Sequence, residues 1–151
     1  MTFDDLSERI APAVVSGKIG TPVSLRMHVQ LAESRADLVQ ALANAMHVAE
    51  SVFAVEPVTL VARRNSNESQ LNVLVSYTHG QVVMLTVGRG SADSSSLHLL
   101  LIGNRGVVRL EGSELFDDAG MQSPPDAAHW QLLVDRSLTE GQPVCLDARL
   151  A

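Results

Sequence analysis

The chain has 151 residues, 46% of them hydrophobic, and a net charge of −6 at pH 7. This size and composition suit a single folded domain over residues 1–151 and exclude a disordered chain, which would bury too little apolar surface. The excess of acids argues against binding to nucleic acid, which needs clustered Lys and Arg.

The sequence shows no signal for a membrane or for secretion. No apolar run approaches the roughly 20 residues that span a bilayer, so we expect no membrane partner. The segment MTFDDLSERI opens with acids and lacks the basic-then-apolar order of a signal peptide. The single cysteine, Cys145, excludes an internal disulfide, and its apolar neighbours predict a small core residue rather than a nucleophile. We therefore expect a cytoplasmic protein.

The first half of the sequence predicts a helix, a strand and a long helix. Phe3–Ser16 repeats apolar residues at helical spacing, and the glycines of SGKIGTPV then predict a turn. Val23–Leu31 alternates apolar and polar residues, which indicates a strand buried on one side. Arg35–Phe53 is the longest helical pattern, with Ser34 as the candidate N-cap. Its apolar stripe consists of Leu38, Leu42, Ala45, Met46, Ala49 and Phe53.

The second half predicts a series of strands and one more helix. Asp126–Glu140 predicts the last helix, which Gly141 ends, and Val144–Ala148 has the composition of a short terminal strand. We expect residues 90–96 to form a loop and residues 114–125 to be irregular. The predicted strands, joined mostly by tight turns, are Val58–Arg63, Gln70–Tyr77, Val82–Val87, Leu97–Ile102 and Val107–Glu111.

This order of elements predicts an α+β fold with a mixed, mainly antiparallel sheet of about six strands. The predicted helices can cover only one face of such a sheet. In a sheet with one solvent-exposed face, apolar and polar residues alternate strictly along each strand. Several strands here instead carry apolar residues on both faces. We therefore expect the open face to meet another copy of the chain in a homodimer or larger homo-oligomer. The two-sided apolar strands that motivate this expectation lie around Leu74, Val83, Leu85, Leu100 and Ile102, and the pattern does not fix which residue of each pair faces outward.

A second face of the long helix holds Ala43, His47 and Glu50, because successive residues turn by about 100°. We expect these side chains to line a shallow groove away from the apolar stripe, with His47 at least partly exposed. His47 and Glu50 suit an acid–base pair, but a solvated helix face explains them more simply. A metal site is the weaker interpretation, because His47 has no second histidine at i+4 and no nearby Cys or Asp cluster.

The first predicted strand places Arg26 and His28 together on its polar face. These two side chains suit an anion site. A wet strand face is the simpler interpretation, since inference of function from charge alone is only probabilistic.

Several motifs match a known family in order and spacing. RIAPAVVSGKIGTPVSLRMHV contains the pattern G-x-I-G-x-P before a strand, through Gly17, Ile19, Gly20 and Pro22. YTHGQVVMLTVG and LLLIGNRGVVRLEG have the form of hairpins, and WQLLVDRSLTEGQPV that of a closing helix. Together these segments resemble the C-terminal domain of the glucose–fructose oxidoreductase and inositol dehydrogenase family. The resemblance covers nearly the whole chain.

The resemblance implies the family's fold without the parts that carry hydride transfer. The family's Rossmann domain and the lysine of its Glu-Lys-Pro motif have no match here, and no GxGxxG occurs in the sequence. The family's helix motif D-x-G-x-H-x-x-D falls on Ala43, Ala45, His47 and Glu50. Of the paired catalytic groups in this motif, the histidine remains as His47. Its aspartate partner is replaced by Ala43, whose side chain is only a methyl group. We expect no nucleotide cofactor on this chain alone.

These observations favour a non-catalytic module that oligomerises, or that binds substrate through Ala43, His47 and Glu50. Two alternatives stay open. The chain can be a subunit of a split NAD(P)-dependent oxidoreductase, with a Rossmann domain on a separate chain and His47 touching substrate. It can also be a small-ligand-binding α+β domain that is unrelated to the family.

Overall fold

A computed structural model describes residues 3–32, 38–67, 69–89, 95–115 and 127–146. In these residues the chain forms three helices and seven strands. The helices are α1 (Phe3–Val15), α2 (Leu38–Val52) and α3 (Ala127–Glu140). The strands are β1 (Pro22–Leu31), β2 (Pro57–Arg64), β3 (Gln70–Tyr77), β4 (Val82–Arg89), β5 (Ser95–Gly103), β6 (Val107–Leu115) and β7 (Val144–Cys145).

The strands of the described residues form one sheet in the order β6-β5-β1-β4-β3-β2-β7. β1 lies parallel to β4, and every other neighbouring pair is antiparallel. The predicted α+β fold with a mixed, mainly antiparallel sheet is confirmed. The strand count is seven rather than six, because the two residues of β7 pair with Thr59 and Leu60 at the edge of the sheet.

The helices cover one face of the sheet. α2 contacts β1, β3 and β4, α3 contacts β2 and β7, and α1 packs on α2. Strand residues that point toward the helices are buried, and full burial of one such side chain stabilises the fold by about 1.5–3 kcal/mol. None of the helices in the described residues is long and apolar enough to cross a membrane. The buried strand residues include Leu25, Met27, Val29, Val73, Val75, Val83, Leu85, Val87, Leu97, Leu99 and Leu101.

Some element bounds differ from the predicted ones. Ser95, predicted as loop, begins β5. Its buried hydroxyl accepts the N–H of Ala32 at 3.0 Å, and this hydrogen bond lets a polar side chain lie in the core. Residues 114–115, predicted as irregular, end β6. The predicted N-cap Ser34 and the segment 116–126 lie outside the described residues.

Two turns that are far apart in the sequence contact each other at one end of the sheet. The N–H of Thr21 donates to Oδ1 of Asn104 at 2.9 Å, and the N–H of Asn104 donates to the Thr21 carbonyl at 3.0 Å. Gly20 has a φ of +74°, and a Cβ added there would overlap the Asn104 side chain. A Cβ on Gly103 would overlap the carbonyl oxygen of Ile19. The glycines therefore allow the turn before β1 to dock on the turn between β5 and β6.

A buried serine joins α3 to the sheet. The hydroxyl of Ser137 accepts the N–H of Ala62 on β2 and donates to the carbonyl of Gln142, both at 2.9 Å. Gly141 follows the helix with a φ of +65°, and its N–H donates to the Ser137 carbonyl. This left-handed residue ends the helix as the sequence pattern predicts.

Cys145 is exposed, so its predicted place in the core is wrong. The physical reason is the alternation of side chains along a strand. Val144 takes the inward position on the short strand β7 and is buried, which turns the next residue outward.

Candidate functional site

The second face of α2 carries the predicted site residues, and the structure separates them by burial. Glu50 is exposed and His47 is half-buried, so the predicted partial exposure of His47 is confirmed. Ala43 is only 1% exposed and belongs to the hydrophobic core. The prediction that Ala43 lines an open groove is therefore wrong, while the functional roles of His47 and Glu50 stay predictions.

Ala43 is buried because α2 is covered on more than one side. The helix lies on the sheet and also contacts both α1 and α3. Leu6 and Ile10 of α1 are fully buried in the same core. Helical periodicity identifies the broad apolar stripe that faces the sheet. It does not identify the small residues that neighbouring helices cover as well.

A third polar side chain lies close to this face, and the sequence pattern did not single it out. Tyr77 ends β3, is 5% exposed, and its ring centroid lies 5.1 Å from that of Phe53. Its buried hydroxyl has no hydrogen-bond partner among the described residues. Burial raises the pKa of Tyr77 well above its usual range, and the carboxylate of Glu50 raises this pKa further. The available signal was the alternation of Leu71, Val73 and Val75, which points Tyr77 inward.

Glu50 and His47 can bind a hydroxyl-bearing ligand by hydrogen bonds, because the carboxylate accepts and the imidazole can donate or accept. The hydroxyl of Tyr77 is buried and does not reach such a ligand. Hydride transfer needs further groups. The only lysine of the sequence, Lys18, is exposed in the turn between α1 and β1. No group of three or more His, Cys, Asp and Glu side chains in the described part of the chain is placed to hold a metal ion.

No described helix covers the opposite face of the sheet. The outward side chains of β1 to β6 form this surface, the open face. Paired residues on neighbouring strands lie side by side and form rows across this face. Leu74 and Met84 in the central row are 37% and 43% exposed, and Val107 in the next row is 51% exposed. The central row, from β6 to β2, is Arg109, Leu100, Arg26, Met84, Leu74 and Val61.

Comparison with known proteins gives matches of structure only. No family model matches the sequence, and no curated protein matches it. A probable dehydrogenase from Thermotoga maritima matches 96% of the chain with a TM-score of 0.73 and 14% identity. A scyllo-inositol dehydrogenase from Lactobacillus casei, solved with NAD(H) and scyllo-inositol, matches 95% with a TM-score of 0.70 and 14% identity. GenD2 from gentamicin A biosynthesis, solved with NAD, matches 97% with a TM-score of 0.64 and 16% identity.

The chain has the fold of a dehydrogenase C-terminal domain. The inositol dehydrogenases among these structures are members of the family that the sequence resembles. The chain spans 63%, 62% and 61% of the lengths of the three dehydrogenase chains described above. At these identities the likeness concerns the fold.

Proposed function

We propose that the chain is a non-catalytic module with the fold of a dehydrogenase C-terminal domain, and that it assembles with a second copy through the open face. The observation that carries this proposal is the set of apolar side chains left uncovered there. Leu74, Met84 and Val107 are each more than one third exposed. Leu74 and Met84 are paired neighbours on β3 and β4, and exposed apolar side chains side by side mark a candidate interaction surface.

The open face is large enough for a stable dimer. Six strands about 4.8 Å apart and about eight residues long span roughly 600 Å² in projection. The accessible area is larger than the projection because side chains stand out from the sheet. A standard interface buries about 800 Å² on each partner, which the open face can supply. If the open face of one copy packs against the same face of a second copy, the contact is isologous and forms a closed two-fold dimer.

Assembly is tested by the mass in solution. Light scattering and sedimentation at micromolar concentration should give twice the chain mass. Leu74→Lys places a charge in the central row of the open face and should shift the mass to that of the monomer. Leu132→Lys is the matched control, because Leu132 is 68% exposed on α3, away from the open face. A monomeric wild type, or equal effects of the two variants, would overturn the proposal.

A second candidate function is that of one subunit in a split oxidoreductase. The half-buried His47 and the exposed Glu50 favour it, because they offer hydrogen-bonding groups outside the open face. A partner chain would then supply the nucleotide domain and the lysine. Such a partner is a chain of the Rossmann type, which carries the glycine-rich turn that holds a pyrophosphate.

Reconstitution with a Rossmann-domain chain separates this candidate from the first, and a cofactor titration checks an expectation that both share. Calorimetric titration of the isolated chain with NAD and NADP, oxidised and reduced, should show no heat of binding under either proposal. Co-purification with a Rossmann-domain chain should restore NAD-dependent activity only if the split enzyme exists. In that case His47→Ala should abolish the activity without dissociating the two chains. Activity that survives His47→Ala would exclude His47 from the chemistry.

A further inference from the structure

The open face contains a pocket of about 340 Å³ over β1, β4, β5 and β6. We infer that this pocket binds a small molecule that carries a carboxylate or phosphate group. The residues that carry the inference are Arg26, His28, His98, Arg109 and Glu111, which all line the pocket. The inference goes beyond the assembly proposed above, but it concerns the same face, so a ligand in the pocket and a second copy of the chain would compete for this surface.

The strand register brings two arginines to the same place. Arg26 on β1 pairs with Leu100 on β5, and Leu100 pairs with Arg109 on β6. The two arginines therefore flank one leucine in a single row. Neighbouring strands lie about 4.8 Å apart, so both guanidinium groups can reach one ligand above Leu100. Two guanidinium groups around one point suit the planar, bidentate recognition of a carboxylate or a phosphate.

The next row adds two histidines. His28 on β1 pairs with His98 on β5, and His98 pairs with Glu111 on β6. The Nδ1 atom of His98 lies 3.4 Å from the carboxylate of Glu111. This contact pairs the one carboxylate that lines the pocket with His98. The ring N–H of His28 can also donate a hydrogen bond to an anion in the pocket.

The balance of charge in the pocket opposes that of the whole chain. The two arginines and one glutamate give a charge of +1 before any histidine is protonated, whereas the chain carries −6. Arg26 and Arg109 have no salt-bridge or side-chain hydrogen-bond partner within the part of the chain that the structure describes. The chain has an excess of acids, yet no carboxylate of the described residues pairs with either arginine. Both guanidinium groups are therefore available to bind a ligand.

The floor of the pocket limits what the ligand can be. Met84 is 43% exposed and Leu100 is half-buried, so part of the ligand meets apolar atoms. Thr86 at one side hydrogen-bonds Asn72 at 2.8 Å and is therefore fixed in place. The volume lies at the small end of the range for ligand sites, about 300–1,000 Å³. A single sugar phosphate or a small polyhydroxy acid matches this size, its apolar C–H groups on the floor and its anionic group between the arginines.

The test is a titration followed by two-dimensional amide NMR, with inorganic phosphate and citrate as separate probes and uncharged myo-inositol as the control ligand. Saturable shifts should map to the middle of β1, β5 and β6. Arg26→Gln and Arg109→Gln should each weaken binding by about tenfold, as for a lost charge-assisted hydrogen bond. Glu111→Gln should strengthen binding, because it removes the one carboxylate of the pocket.

Arg9→Gln is the matched control, since it removes the same charge from an exposed arginine on α1. Binding of phosphate, of citrate or of both supports the inference and identifies the preferred group. Absence of saturable shifts with both anions overturns it, and so does equal weakening by Arg9→Gln and Arg26→Gln. Light scattering on the same samples gives the assembly state, so failure of the pocket and failure of the dimer are seen separately. Circular dichroism confirms that each variant is folded.

Discussion

Asn104 and Thr21 exchange two hydrogen bonds across a separation of 83 residues, at 2.9 and 3.0 Å. They tie the turn before β1 to the turn between β5 and β6. Asn104→Ala removes the side-chain acceptor and should lower the free energy of unfolding by about 1 kcal/mol. Asn104→Asp keeps an acceptor oxygen at the same place and should lose less. Urea unfolding followed by the fluorescence of the single tryptophan, Trp130, measures both. Equal losses in the two variants would show that the Asn104 oxygen is not the group that matters.

The contact between Gly103 and Ile19 predicts a sharp difference between two glycines of the same turn. A Cβ on Gly103 overlaps the backbone carbonyl of Ile19, which cannot move aside as a flexible side chain can. Gly103→Ala should therefore destabilise the protein by roughly 2–3 kcal/mol, as in overpacked sites. In Gly106→Ala the nearest atom is 3.5 Å from the new Cβ, an ordinary contact. Thermal unfolding of the two variants side by side should show a clear drop in Tm for Gly103→Ala alone.

Tyr77 makes the stability of the fold sensitive to alkaline pH. Burial, with a further contribution from Glu50, raises the pKa of Tyr77 above its usual value of about 10. Above that pH the unfolded chain releases the phenolic proton while the folded chain keeps it, so the free energy of unfolding falls as pH rises. Below that pH both states are protonated and this dependence is absent.

The single tyrosine of the chain makes this effect directly measurable. Tyrosinate absorbance should stay low in the folded protein beyond pH 10 and appear with unfolding. Tyr77→Phe should remove the alkaline loss of stability. At pH 7 the same change should be neutral or slightly stabilising, because the hydroxyl is buried without a partner among the described residues. Ionisation near pH 10 without unfolding would show that the hydroxyl is accessible.

His47 should matter little for stability. Its side chain is half-buried, so His47→Ala should lower the free energy of unfolding by about 1 kcal/mol or less. The neighbouring Met46 is fully buried, and Met46→Ala should cost about 2–5 kcal/mol. Denaturant unfolding of both variants gives the comparison. A loss from His47→Ala as large as that from Met46→Ala would place His47 among the structural residues and remove it as a ligand-binding candidate.

The sequence predicts those parts of the fold in which local periodicity reflects burial. The alternation in Val23–Leu31 gave the correct inward face of β1 from Leu25 onward, although Val23 is exposed, and the stripe from Leu38 to Phe53 gave the buried side of α2. The position of β1 between β4 and β5 could not be predicted in this way. Strand order depends on contacts between distant segments, and the alternation of one strand is the same beside any neighbour.

The candidate site shows the same division. The partial exposure of His47 followed from its angular position on α2, whereas the burial of Ala43 depends on neighbouring helices and could not follow from that position. The open-face pocket depends on register. Arg26 and His28 are two residues apart on one strand, but Arg109 joins them only because β5 and β6 pair alongside. The sequence therefore showed half of that cationic cluster and left its completion to the sheet.

The place of β1 has a consequence for synthesis of the protein. β1 leaves the ribosome before both of its neighbours in the sheet, since Ser24 pairs with Val82 and with Ile102. Closing such long loops is slow. During translation both edges of β1 stay unpaired until β4 and β5 follow. Nascent chains that stall before β5 is complete should be the aggregating species, because an unpaired central strand is a template for association.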